Sequence, residues 1–239
     1  MRTRAYWRKD WALRFAGGHR STNDAFLERE AEEKILHMGG GGSLLDFGCG
    51  AAELLAFYAS RFDELVGVDF SATMLVQARQ RLERQSAENV RLLEADDESV
   101  WRLLEGQTFD VITATEVVQY LDRAQLDSFI GNAARHLNEG GRIALFDILH
   151  PLLYRLAYLG AFSSHRTPWH ALGASVLTIA KRLGRRLRGW PPDVVGFSYD
   201  PSYLARTADH FELTTQVVWS MFYEYRYHAI LTKRTRAPS

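Results

Sequence analysis

Three short stretches hold acids and glycines at spacings that suit chemistry on a nucleoside. In "LLDFGCG" an apolar run ends in Asp46 and passes straight into Gly48, Cys49 and Gly50. Glycines placed there let the chain turn sharply and let a ligand approach the backbone. A dinucleotide loop has the pattern G-x-G-x-x-G, but its third glycine position is Glu53 here. A carboxylate at the start of the following helix repels a pyrophosphate, so the loop suits a ligand without phosphates near it. In "LVGVDFSATML", Asp69 closes a second apolar run. An acid at that place can accept hydrogen bonds from both ribose hydroxyls, and it can also cap the next helix. Phe70 and Met74 follow, placed to flank a flat base, and in "LLEADDES" Asp96 or Asp97 can accept from the exocyclic amine of adenine. No cation waits for a phosphate. A nucleoside with an amino-acid tail fits, and S-adenosylmethionine is such a molecule.

These groups must sit on elements that bring them together. The pattern predicts strands over Ser43–Phe47, Leu65–Phe70, Val90–Asp96, Phe109–Thr115 and Arg142–Leu149. Helices are expected over Ala51–Arg61, Ala72–Gln85 and Arg123–Leu137. Alternating strands and helices imply a parallel sheet covered on both faces, with every strand ending on one edge. Before them, Ser21–Met38 reads as a helix with Ser21 and Asp24 as a capping box, ended by Gly39–Gly42. After them, "FELTTQVVWSM" and "YEYRYHAILTKR" adjoin with almost no connection and read as an antiparallel hairpin.

The pieces "LLDFGCG", "LVGVDFSATML", "LLEADDES", "FDVITATEVVQYL" and "HLNEGGRIALFDILHP" run in one order over residues 43–151. In that order the chain resembles a class I S-adenosylmethionine-dependent methyltransferase. The resemblance implies a doubly wound α/β fold, with a seven-stranded, mostly parallel sheet whose last strand is antiparallel. It implies that Asp46, Gly48, Cys49 and Gly50 surround the methionine end of the cofactor and that Asp69 holds the ribose. Phe70, Met74, Asp96 and Asp97 would frame the adenine, and Ala114 would meet the cofactor by its backbone. Ala52 stands where the family often has a third glycine. "TEVVQYL" aligns with a Glu-x-x-Glu-His metal segment of the ubiquinone O-methyltransferases. Glu116 is kept, but Gln119 and Tyr120 fill the other two places, so no metal is expected.

Methyl transfer needs an aligned acceptor, excluded water and sometimes a base. His150 lies at the strand-end edge, and an imidazole titrates where such a base is useful. The competing reading is that it satisfies backbone groups beside Pro151. The final hairpin starts at the same edge, so Tyr223, Tyr225 and His228 are candidates for the acceptor pocket, with Tyr223, Tyr225 and Tyr227 on one face. Packing against a covering helix is the alternative. Tyr6, Trp7 and Trp11 are candidates for a lid over the cofactor.

The organisation read from the 239 residues is a helical cap (1–42), a cofactor-binding core (43–150), a lid insertion (151–201) and a hairpin that completes the core (202–239). The insertion is basic, with seven Lys or Arg and two acids over 151–200. Within it Leu172, Val176, Ile179, Leu183 and Leu187 form a helical apolar stripe, bracketed by Trp169 and Trp190. That pattern suits either a lid packed on the sheet edge or a peripheral membrane contact through 172–190. Zero formal net charge argues against a nucleic-acid partner. The one cysteine excludes an internal disulfide, and with no apolar leader a cytoplasmic protein is expected. The resulting expectation is methylation of a small molecule at oxygen, on an apolar or lipid-linked intermediate. A nicotinamide-dependent oxidoreductase and a non-catalytic cofactor-binding protein are the rivals. The oligomeric state is not legible.

Overall fold

The computed structural model describes residues 23–158 and 196–234. Its helix α1 (Asp24–Met38) is capped by Asn23, whose side chain accepts from the N–H groups of Ala25 and Phe26. Asn23 is thus the cap and the helix begins at Asp24, while the Ser21 of the expected capping box lies outside the described residues. Strand β1 (Ser43–Phe47) leads through the glycine loop to a short α2 (Leu55–Tyr58), then β2 (Glu64–Asp69), α3 (Ala72–Arg84), β3 (Val90–Glu94) and α4 (Val100–Leu103). After these come β4 (Phe109–Thr115), a 3-10 turn (Val118–Tyr120), α5 (Arg123–Arg135), β5 (Leu137–Leu149), α6 (Pro151–Tyr158), α7 (Pro201–His210), β6 (Leu213–Trp219) and β7 (Arg226–Lys233).

The seven strands form one sheet in the order β3-β2-β1-β4-β5-β7-β6. Strands β1 to β5 pair in parallel, while β7 runs antiparallel to both β5 and β6. Adjacent residues of one strand face opposite ways. Leu45 thus belongs to one apolar layer with Phe129 and Ile130 of α5 and Leu204 of α7, while Leu44 belongs to the other with Leu27 of α1 and Leu75 of α3. These two apolar layers, one per face, fix where the strand ends point.

Three sequence expectations change. The chain turns irregularly through residues 51–54, so α2 begins at Leu55 and Glu53 lies in the loop ahead of it. The β6–β7 connection spans residues 220–225, so Tyr223 and Tyr225 precede the strand instead of alternating within it. Helix α7, with Pro201 in its first turn and Asp200 as its cap, was not anticipated. The Tyr6, Trp7 and Trp11 lid and the 172–190 helix lie outside the described residues. Among the described residues no helix is long and apolar enough to cross a membrane.

Candidate active site

The C-terminal ends of β1 and β2 meet through the glycine loop. The N–H groups of Gly48 and Cys49 both donate to the Val68 carbonyl, at 2.7 and 2.9 Å, which folds the loop back over β2. Gly48 has φ +78°, and a Cβ there would overlap Cγ2 of Val117, from the turn after β4. Glycine is required by both facts. The loop after β1 thereby touches the loop after β4. Gly50 (φ +57°) donates its N–H to Asp69 Oδ2 at 3.0 Å, and the Ser71 N–H donates to Asp69 Oδ1 at 2.8 Å. Each carboxylate oxygen keeps a second lone pair for a ligand hydroxyl. Asp69 is buried, and burial raises its pKa more than those N–H donors lower it. The cap of α3 is Ser71, which accepts from the Met74 N–H, so Asp69 is left to the loop.

Charge around the loop has one sign. Burial, then Asp46, Asp69 and Glu53 in that order, push the Cys49 thiol well above its usual range. The cradle therefore favours a cationic ligand and repels phosphate. The site's fit to S-adenosylmethionine rests on this: it offers backbone, a ribose-binding acid and carboxylates toward a ligand bearing an ammonium and a sulfonium.

Other cofactor candidates divide. Phe70 is exposed at the β2 end, while Met74 and Ala114 are buried. Asp96 Oδ1 already accepts from the Ser99 N–H and hydroxyl, at 2.9 and 2.7 Å, and so organises the start of α4. Asp97 Oδ2 lies 3.4 Å from the Gln125 amide of α5, whose own capping box with Asp122 is complete.

Where β5, β7 and α1 meet, the sequence reading missed most of what is there. Strand β5 carries a bulge. Leu145 pairs with Ala229 and Ile148 with Tyr227, so Phe146 and Asp147 together stand opposite His228. Asp147, at φ +59°, donates its N–H to His228 Nδ1 at 3.1 Å. That bond leaves the ring proton on Nε2, which lies 3.2 Å from Glu33 Oε1 of α1. Glu33 Oε1 also accepts from the Met221 N–H at 2.5 Å, so α1 grips the β6–β7 connection. Lys34, fully buried, sits 3.0 Å from Asp147 Oδ2, 3.2 Å from Glu30 Oε1 and 3.7 Å from Glu33 Oε2. Burial alone would raise the Asp147 pKa, but Lys34, then His228 and Arg226, hold it down at about 2. Arg226, the first residue of β7, pairs with Glu116, and the Tyr223 and Tyr225 rings cover its guanidinium at 4.9 and 5.7 Å.

Two of the three acceptor candidates, Tyr223 and Tyr225, therefore flank Arg226, whereas His228 is buried beneath α1. Burial, then Glu30, Glu116 and Asp147, raise the Tyr223 phenol, which stays protonated. His150 lies at the edge between β5 and α6, with its ring 5.6 Å from that of Trp219. Its Nδ1 accepts from the Leu153 N–H at 3.3 Å, capping α6. Glu116 sits in the left-handed region directly after β4 and is committed to Arg226.

A sheet of this order, with an antiparallel β7 and a glycine loop between β1 and an acid-ended β2, defines a Rossmann-like α/β domain. Residues 45–143 match a family model described as a methyltransferase domain. The fold is shared with magnesium protoporphyrin IX methyltransferase (ChlM) from Synechocystis PCC 6803, solved with bound SAH. That match has a TM-score of 0.62 and 16% identity, and covers 97% of this chain and 98% of that one. N-methyltransferase NodS from Bradyrhizobium japonicum WM9, in complex with S-adenosyl-l-homocysteine, matches at 0.61 and 16%, over 95% and 96%. An O-methyltransferase family protein from Burkholderia thailandensis matches at 0.60 and 15%, over 88% of this chain and 56% of that one. The chain thus spans little more than half the length of the Burkholderia protein. No curated protein matches it in sequence. The match to a methyltransferase domain is thus confined to residues 45–143, and the fold as a whole is one shared with methyltransferases solved with S-adenosylhomocysteine.

Proposed function

We propose that the protein transfers the methyl group of S-adenosylmethionine to a small-molecule acceptor. The observation that carries this is the loop between β1 and β2. Gly48 and Gly50 bring bare backbone to the sheet edge, Asp69 is anchored there with lone pairs to spare, and carboxylates surround the loop. Asp46 and the loop backbone would hold the methionyl end and Asp69 the ribose. Phe70, Met74 and Asp97 would border the adenine. When bound, the cofactor supplies a methyl group made electrophilic by its sulfonium. The chain's own contribution is alignment and exclusion of water between the loop and the Glu116–Arg226 edge.

Transfer to oxygen was the sequence expectation, with His150 as the base. With Nδ1 accepting from Leu153, the His150 ring offers Nε2–H, which is a donor. In this tautomer His150 orients an acceptor, and it must release Leu153 before it can take a proton. An apolar or lipid-linked acceptor rests on residues 172–190, outside the described residues.

Isothermal titration calorimetry with S-adenosylhomocysteine and with NAD tests the proposal. Binding of the first is expected. Binding of NAD with none of S-adenosylhomocysteine would overturn it and favour an oxidoreductase.

A further inference from the structure

Three strand ends meet around one guanidinium. Arg226 opens β7, and its Nη1 donates both to Glu116 Oε1, directly after β4, and to the Asp147 carbonyl in the β5 bulge at 3.4 Å. The residue is 5% exposed, and the rings of Tyr223 and Tyr225 lie over its guanidinium. A group so enclosed reaches a ligand only through its neighbours. Arginine keeps its charge at every working pH, so this tie does not titrate away at the Arg226 end.

The residue that Arg226 grips is held in an unfavourable shape. Glu116 has φ +58°, in the left-handed region that residues other than glycine rarely adopt. Such a residue stays there only when its surroundings overdetermine it. Its N–H donates to the Phe146 carbonyl of β5 at 3.1 Å, which fixes the chain up to the Glu116 nitrogen. Rotation about the next bond, N–Cα, sweeps the side chain with it. Tying the carboxylate to Arg226 therefore opposes that rotation.

What φ sets is the place of Val117. Turned this way, Val117 lies against the loop after β1, where a Cβ on Gly48 would stand 2.4 Å from Val117 Cγ2. Val117 thus closes one side of Gly48, whose N–H donates with that of Cys49 to the Val68 carbonyl. Contacts run without a gap from Arg226 through Glu116 and Val117 to the glycine loop.

We infer that Arg226 is a positioning residue for the cofactor loop: by tethering Glu116 it holds the turn after β4, and that turn holds Val117 against Gly48. The consequence for ligand binding rests on the methyltransferase reading of the loop, while the chain of contacts stands without it. When the tether is removed, Glu116 relaxes toward extended backbone, Val117 swings away from Gly48, and the loop loses its backing on that side. The sign of the effect separates position from charge. Deleting the Arg226 cation leaves the Glu116 carboxylate uncompensated, and by Coulomb attraction alone this tightens the hold on a sulfonium-bearing ligand. Loss of position weakens it.

Hydrogen exchange by NMR on the full chain without ligand, and calorimetry with S-adenosylmethionine, test the inference. The reporters are the Gly48 and Cys49 amides, with the Leu65 amide as reference, since Leu65 donates to the Asn89 carbonyl at the opposite end of β2. In Arg226→Met the two loop amides should exchange at least roughly fivefold faster relative to Leu65, and S-adenosylmethionine should bind roughly fivefold more weakly or worse. Val117→Ala leaves the ion pair in place and should show both effects, which keeps the test decisive if Arg226→Met does not fold. Equal acceleration of all three amides, as a merely structural role would give, overturns the inference. So does tighter binding in Arg226→Met, or a Val117→Ala protein indistinguishable from the native one. If the native chain binds no S-adenosylmethionine while the loop amides respond, the methyltransferase reading falls and the positioning role stands. Native binding with loop amides that do not respond removes the role of Arg226 and leaves the cofactor site.

Discussion

Replacing Lys34 with methionine keeps an unbranched side chain only one atom shorter and deletes its charge, which isolates what that ammonium does. Nζ lies within 4 Å of carboxylate oxygens from Glu30, Glu33 and Asp147, all of them inaccessible to water. Breaking a buried ion pair by removing one partner costs about 3–5 kcal/mol, because the other charge stays behind unpaired. A separate measure comes from Asp147. Its pKa falls from 3.8 to about 2, with Lys34 the largest of the lowering influences, which stabilises the ionised folded form by about 2 kcal/mol. The two figures agree in order of magnitude, since Glu30 and Glu33 also lose their cation. The pH dependence has a definite sign. In the native chain the folded pKa of Asp147 is depressed, so its contribution is complete above pH 4 and is lost as pH falls toward 2. Without Lys34, burial becomes dominant and the folded pKa rises above the usual value. Stability then declines as pH rises from 4 to 7. Urea denaturation followed by circular dichroism at several pH values reads both effects. A melting temperature lower by roughly 6–20 °C is expected at neutral pH for a chain of this size. The double variant Lys34→Met/Asp147→Asn should recover at least about 1 kcal/mol of the loss, as a coupled pair does. A single-variant cost below about 1 kcal/mol, or a double variant no more stable than the single, would refute the reasoning.

The cofactor loop offers sharper tests. Gly48→Ala meets both a left-handed backbone and Val117, so S-adenosylhomocysteine affinity by calorimetry should fall at least about tenfold while the circular dichroism spectrum is kept. Asp69→Asn sets an amide N–H against the Gly50 or Ser71 N–H, and the same titration should weaken roughly tenfold or more. His150→Ala removes the acceptor for Leu153 and should cost about 1 kcal/mol in thermal melts, with Asn at that position restoring most of it. Gly196→Ala drives a Cβ into the Gln119 carbonyl at φ +105°. It should break the Phe197 N–H bond to that carbonyl and destabilise the chain by about 1–3 kcal/mol in denaturant melts.

The glycine loop and the strand ends around it were legible because their information is local. Asp46, the glycines and Asp69 sit at strand ends that apolar runs announce, and β1 and β4 fell on their expected bounds. Helix α2 was overdrawn because the apolar residues after Gly50 follow no helical spacing, and the loop needed Ala52 in the left-handed region. The cluster where α1 meets β5 and β7 was not legible, for a different reason. Glu30, Ala31, Lys34 and Met38 make the buried face of α1, and charged residues on a helix ordinarily mark its wet side. Their partner Asp147 is a lone acid inside "ALFDIL", a run that otherwise reads as plain core. The bulge that turns Asp147 toward α1 breaks strict alternation, so no period-two reading reveals it. Arg226 was passed over in favour of the tyrosines beside it, though a lone arginine opening a buried strand is the signal that could have found it.

The strand-end residue Leu149 accepts a hydrogen bond from the Tyr199 N–H at 3.1 Å, Tyr199 in turn donates its hydroxyl to the Leu121 carbonyl, and Phe197 is tied to Gln119. The chain therefore leaves the sheet and returns to it at one place, as through the neck of a purse. The register of β5 and β7 is therefore held by described residues on both sides of the neck, and the entropy of closing a connection depends only weakly on its length. Shortening, exchanging or lengthening it becomes a change of attachment and leaves the architecture alone. Chimeras that swap residues 159–195 between relatives should fold on the same frame, and their melting temperatures should track the neck residues more closely than the content of the graft.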